Sequence, residues 1–149
     1  MKIRPKLIGI DIGERRIGLA VSDDLWLTAQ PRGVYHRSGE AKDIDYLVAL
    51  AREEGAVAFV AGLPKRTTGE EGPEAAKVRA FTRKLEEKSG LPVRFADERF
   101  TTVIAHNLLL AADTSRERRR QVVDKLAAAL ILQTFLDTHR DRATEWEKT

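Results

Sequence analysis

Strand-forming runs are spread unevenly along this chain, and that spacing is the strongest constraint on its fold. Lys6 to Asp11, Ile17 to Ser22 and Gly33 to Arg37 follow in succession. The turn Gly13-Glu14-Arg15-Arg16 joins the first two, and Asp23 to Pro31 reads as a loop before the third, so the three pair most simply as an antiparallel meander. From Glu40 the period changes. Ile44, Leu47, Val48 and Ala51 mark one helical stripe over Glu40 to Glu54, which Gly55 ends. Val57 to Leu63 is a continuous apolar run, as in a strand covered on both faces. A second helix opens at Pro73 with Val78, Phe81 and Leu85 on one face, and Gly90 and Pro92 stop it before the strand Val93 to Ala96. The last third reads as helical. Thr101 or Thr102 can cap a helix running to about Ala112, and Asp113-Thr114-Ser115 makes a turn. A long helix then spans about Arg118 to His139, with Val123, Leu126, Ala127, Leu130 and Ile131 inward. The charged tail from about Arg140 is expected to fray.

Three antiparallel strands, then two strands each reached through a helix, predict an α/β fold. With right-handed crossovers the economical arrangement is a five-stranded mixed sheet in the order 3-2-1-4-5, flanked by helices on both faces. That is the ribonuclease H-like arrangement. At 149 residues and 42% apolar content, residues 1–149 are expected to form one domain. No run of about 18 apolar residues offers a membrane span, and Met1 to Lys6 lacks the apolar core of an export signal. The expected location is the cytoplasm. Cysteine is absent, which excludes disulfides and thiolate metal sites.

Three acids stand where acids are costly. Asp11 closes the apolar run Leu7 to Ile10, Glu98 follows the last strand, and Asp124 lies within the mostly apolar stretch Val122 to Leu136. In the expected sheet Asp11 and Glu98 reach the same carboxyl edge, where open α/β sheets bind their ligands. At 100° per residue Asp124 shares a face with Ala127, Ala128 and Ile131, expected to turn toward the sheet. Taken singly, Asp11 also suits a turn, Glu98 an exposed ion pair, and Asp124 a pair with Lys125 or Arg120. The topology that gathers all three favours chemistry. Carboxylates without His or Cys select Mg²⁺ or Mn²⁺, and two such ions can drive phosphodiester hydrolysis. The expectation is a two-metal site in which Asp11 bridges both ions and Glu98 and Asp124 hold one each.

Lysine and arginine total 26 against 23 acids, a net charge of +3, so the global balance decides little. The arrangement says more, because arginine clusters suit phosphate. Arg16, Lys65, Arg66 and Arg99 fall near the expected active edge, and Arg118 and Arg119 lead into the Asp124 helix. These are the candidate nucleic-acid contacts. Arg15 and Arg16 face opposite ways if a strand begins there, so only one is expected to serve. His36, His106 and His139 match no metal-ligand spacing.

The ordered motifs Gly9-Ile10-Asp11-Ile12-Gly13, Arg16-Ile17-Gly18-Leu19-Ala20, Gly62-Leu63-Pro64, Asp97-Glu98-Arg99-Phe100-Thr101-Thr102, and Asp124 with Ala127-Ala128 and Ile131-Leu132-Gln133 resemble the YqgF (RuvX) family from about Lys6 to Leu136. The resemblance implies a cytoplasmic ribonuclease H-like nuclease related to the resolvase RuvC. That family is usually assigned to maturing the 5′ end of 16S ribosomal RNA precursor, and in some bacteria to resolving Holliday junctions. By the same match Asp11, Glu98 and Asp124 fall on its acidic positions. Arg66 stands where the family often has Asn, and Ile104 where an acid commonly follows the Thr pair. The implied partners are structured RNA or branched DNA and ribosomal precursor particles, with no membrane. Monomer and homodimer both stay open, although a symmetric junction needs two active sites.

Two rivals remain. Asp11-Ile12-Gly13 also resembles the phosphate loop of actin-like sugar kinases, but 149 residues leave no room for their second lobe. A binding module without catalysis would gain nothing from converging carboxylates.

Overall fold

The computed structural model describes residues 3–97 and 116–140, apart from the side chains of 116–125. Its elements are β1 (Lys6–Ile12), β2 (Arg16–Ser22), β3 (Ala29–His36), α1 (Glu40–Glu54), β4 (Ala56–Leu63), α2 (Pro73–Ser89), β5 (Val93–Asp97) and α3 (Arg116–His139). The five strands form one sheet in the order β3-β2-β1-β4-β5. β1 pairs antiparallel with β2 and parallel with β4. This is the expected ribonuclease H-like sheet. The expected helix from Thr101 or Thr102 to Ala112, the turn at 113–115 and the tail beyond Arg140 lie outside the described residues.

Strand alternation divides β1 between two cores. Ile8 and Ile10 join Ile17, Leu19, Phe59 and Ala61 under α1 and α2, which contribute Leu47, Val48, Phe81 and Leu85. Leu7 faces the other way, with Ala20, Ala58 and Val60, against Ala128, Ile131, Leu132, Phe135 and Leu136 of α3. That inward set corrects the expected one, because Leu126 is exposed. Ile131 is buried as expected, but the stripe 128-131-132-135-136 is otherwise shifted by about one residue from the 123-126-127-130-131 reading. In an alanine- and leucine-rich segment, composition alone cannot fix the phase.

Gly9 shares the α3 side of β1 with Leu7. A Cβ there would sit 2.8 Å from Leu132 Cβ and 2.9 Å from the Ala128 carbonyl oxygen. The glycine therefore lets the helix backbone rest directly on the strand.

The third strand begins earlier than expected, at Ala29 rather than Gly33. Pro31 and Gly33 read as breakers in sequence. On an edge strand a proline loses no ladder bond that matters, and a bulge absorbs the glycine. The register shifts there between Leu19 and Ala20, and Gly33 takes φ +113°.

The connection before β3 is not a plain loop. Trp26 is fully buried with φ +58°, a costly conformation for a large side chain. Its surroundings hold it: the indole N–H donates to Pro5 O at 2.7 Å, and Asp23 Oδ1 accepts from Leu27 N and Thr28 N. Arg140 was expected to begin a fraying tail. Instead it donates to Trp26 O at 3.0 Å and to Asp137 Oδ1 at 2.9 Å, while Arg4 donates to its carbonyl at 3.0 Å.

Candidate active site

Asp11 is the penultimate residue of the central strand. Alternation from Leu7 and Gly9 puts it on the α3 side of the sheet, partly buried. Its partner across β2 is Gly18. On the other side the Ile10–Ala61 pair makes Gly62 the next residue of β4 alongside it. The carboxylate thus stands between two strands that present no side chain at its level, and Gly62 in turn pairs with Ala96 of β5. Interior strand glycines of this kind mark places where a ligand or another backbone comes close.

The direction of α3 follows from its contacts. Gln133 Oε1 accepts from Ala29 N at 2.9 Å, and Ala29 pairs with Ser22, whose hydroxyl accepts from Leu7 N. The C-terminal half of α3 therefore lies at the start of β1, and Ala128 with Leu132 lies at Gly9. One turn further back, backbone position 124 falls at the Asp11 end. The Asp124 side chain lies outside the described residues, and so does Glu98, which follows the last residue of β5. Among the described residues no three His, Cys, Asp or Glu side chains group as a metal site.

Beside Asp11 a cleft of about 270 Å³ opens, lined by Asp11, Gly13, Glu14, Arg15, Arg16, Gly18 and Val34. Both arginines line it, Arg15 from the connection and Arg16 from the start of β2. Residues 13–15 form the connection rather than strand, so alternation does not sort them. Gly13 is required by closeness: its N–H donates to Arg16 O at 2.9 Å, and a Cβ would lie 2.8 Å from that oxygen.

Lys65 and Arg66 follow β4 at the same edge. Arg66 N donates to Glu70 O and its carbonyl accepts from Gly69 N, each at 2.8 Å. The Arg66 guanidinium lies against Gly72 at the start of α2, and the Glu74 carboxylate comes up to the same glycine. The loop is tied down further on: Glu71 accepts two bonds from Arg79, at 2.7 and 2.9 Å, and Arg79 stacks over Phe95 at 4.9 Å. That guanidinium holds the Glu71 carboxyl below its ordinary value. Arg99 lies outside the described residues. Arg118 and Arg119 are placed on the backbone of α3 alone.

Sequence reasoning missed a cluster directly behind the cleft. Arg37 donates from Nη1 to Gly13 O at 2.8 Å and from Nε to Asp43 Oδ2 at 2.9 Å, and its backbone N–H donates to Arg15 O at 2.8 Å. Asp43, fully buried in the first turn of α1, accepts from Ser38 N at 3.0 Å. Burial opposes its charge, yet Arg37, the Ser38 N–H and the Tyr35 hydroxyl hold its carboxyl below the ordinary value. An acid in a helix's first turn is a visible signal; its arginine partner on another element is not.

Comparison with known proteins fits this geometry. A family model described as RuvX, Holliday junction resolvase, matches residues 5–138. The chain belongs to the RuvX family. A candidate pre-16S rRNA nuclease of Symbiobacterium thermophilum is 47% identical over 137 residues, covering 92% of this chain and 95% of that protein. One of Moorella thermoacetica is 48% identical over 132 residues, covering 89% and 94%. Among solved structures, Thermus thermophilus RuvC in complex with a Holliday junction has a TM-score of 0.57 at 17% identity, over 93% of this chain and 97% of that one. At that identity the likeness speaks for the fold, and it is the ribonuclease H-like fold of this RuvX chain.

Proposed function

We propose that this RuvX chain is a metal-dependent nuclease that processes the 5′ end of 16S ribosomal RNA precursor in the cytoplasm. The observation that carries the reading is Asp11: a carboxylate at the carboxyl edge of the central strand, flanked by glycines, with α3 seated on the same strand so that position 124 comes to its end. Two relatives that share nearly half of this chain's residues carry the name of a pre-16S rRNA nuclease, and their names supply the substrate.

An all-oxygen donor set fits Mg²⁺ or Mn²⁺, and Asp11, Glu98 and Asp124 are the residues that would hold it. When bound, the ions activate water and stabilise the leaving oxygen of a phosphodiester. The chain's own residues do the rest. Glycines 18 and 62 leave the floor beside Asp11 open to a sugar-phosphate backbone. Arg15, Arg16 and Lys65 at the rim neutralise phosphates, as do Arg66, Arg99, Arg118 and Arg119 in this reading. Such contacts position the polynucleotide without reading its sequence.

Cleavage of a pre-16S leader, an unstructured RNA and a four-way DNA junction, side by side, tests the proposal. The leader is expected to be cut with Mg²⁺ or Mn²⁺ and spared in EDTA. Asp11→Asn is expected to lower the rate at least about a hundredfold, the scale of losing one preorganised electrostatic contact to a transition state. Activity that survives EDTA or Asp11→Asn sinks the mechanism. Junction cleavage alone moves the substrate to branched DNA, the reading the family description favours, and then calls for a dimer in solution.

A further inference from the structure

We infer that Arg37 is a positioning residue for the substrate: it fixes the arginine-bearing turn between β1 and β2 against the Asp11 cleft. This rests on the nuclease reading, and it names a group that touches neither substrate nor metal. Two of its contacts converge on that turn. The guanidinium holds Gly13 O and the backbone N–H holds Arg15 O, so one residue grips the turn on both sides of Glu14. The guanidinium is itself held, by buried Asp43 at 2.9 Å and over the Phe81 ring at 5.1 Å. Asp43 belongs to α1, Phe81 to α2 and the turn to the sheet. Arg37 thus ties the rim of the cleft to the helical layer on the far face.

The contacts that hold the turn are polar. Glu14 and Arg15 are exposed, and no apolar side chain anchors them. Gly13 supplies none either. Arg37 holds the turn by hydrogen bonds to two of its carbonyls, Gly13 O and Arg15 O. A planar guanidinium reaches Gly13 O and Asp43 together because its donors form a fixed fork. A lysine ammonium reaches one or the other well. The role is therefore specific to arginine rather than to positive charge.

Removing Arg37 alone leaves the Asp43 carboxylate buried and uncompensated, which threatens the fold. The informative variant is the double substitution Arg37→Met with Asp43→Leu, because an apolar pair of similar volume often replaces a buried ion pair without loss of stability. Three readouts are taken at a temperature where circular dichroism shows every variant folded: hydrogen exchange at the Gly13 amide, anisotropy of a labelled pre-16S leader in Ca²⁺, and steady-state cleavage. Arg32→Met, which removes a sheet-edge arginine from its pair with Glu54, is the control.

The double variant is expected to exchange faster at Gly13. Its kcat/KM is expected to fall roughly ten- to a hundredfold, as for misplacement by a distant residue, with KM and leader affinity carrying most of the loss. Arg37→Lys keeps the ion pair and is expected to recover stability but not affinity. Arg32→Met is expected to match wild type in all three. A folded double variant with wild-type affinity and cleavage overturns the proposal, as does full recovery by Arg37→Lys. If the double variant does not fold, Arg37→Lys alone decides by the same readouts. A wild-type chain that cleaves nothing defeats the nuclease reading instead, and the exchange and anisotropy arms still judge Arg37.

Discussion

A carboxylate buried as deeply as Asp43 would take up a proton if it stood alone; Arg37 and the Ser38 N–H keep it charged. Its carboxyl is held below the ordinary value in the folded chain, and Glu54, held by Arg32 and Lys6, is shifted the same way. Depressed carboxyls contribute stability that is fully present above their unfolded values and fades as pH falls through their folded ones. Urea midpoints are therefore expected to hold steady near neutrality and drop on the acid side of the ordinary carboxylate range. Asp43→Asn is expected to cost about 1–3 kcal/mol at neutral pH and to flatten that acid limb. A limb unchanged by the substitution assigns the loss to other groups.

Where two elements meet, Gly9 decides how α3 lies on the sheet. Gly9→Ala places a methyl inside contact distance of the Leu132 side chain and the Ala128 carbonyl. The helix must then shift, at a cost of about 1–3 kcal/mol, visible as a lower thermal midpoint. Position 124 rides on that helix, so cleavage is expected to fall further than the melting data alone explain, and Leu132→Ala in the same chain is expected to restore part of both. Equal losses in stability and activity would show that the seat serves packing only. The sequence motif Gly9-Ile10-Asp11 advertised a glycine near the acid, but nothing local names the helix that presses on it. Boundaries of α1 and α2 were legible because Gly55 and Gly90 end them in the left-handed conformation. The start of β3 was not, since Pro31 and Gly33 announce a break wherever strand position is unknown.

Across the whole molecule, strand order followed from the succession of elements, since few connected arrangements satisfy three hairpin-like strands and two crossovers. Asp11 at the sheet's carboxyl edge was legible for the same reason. The Arg37–Asp43 and Arg79–Glu71 pairs were not, because an ion pair between elements leaves no period in the chain. Nor was the closure around Trp26, where Arg4 and Arg140 bring the two ends of the described chain together. Arg140→Ala is expected to cost about 1–2 kcal/mol, the scale of losing bonds from a charged donor, with cleavage unchanged once the protein is folded; a wild-type urea midpoint would show that the closure does not bear on stability. β3 forms one margin of the sheet. β3 sets out Pro31 without a hydrogen to give, a bulge at Arg32 and Gly33, and a cation among them. A neighbouring molecule seeking to add its own strand along β3 meets interrupted spacing and repulsion there, so self-association through that margin should stay disfavoured for as long as the bulge persists.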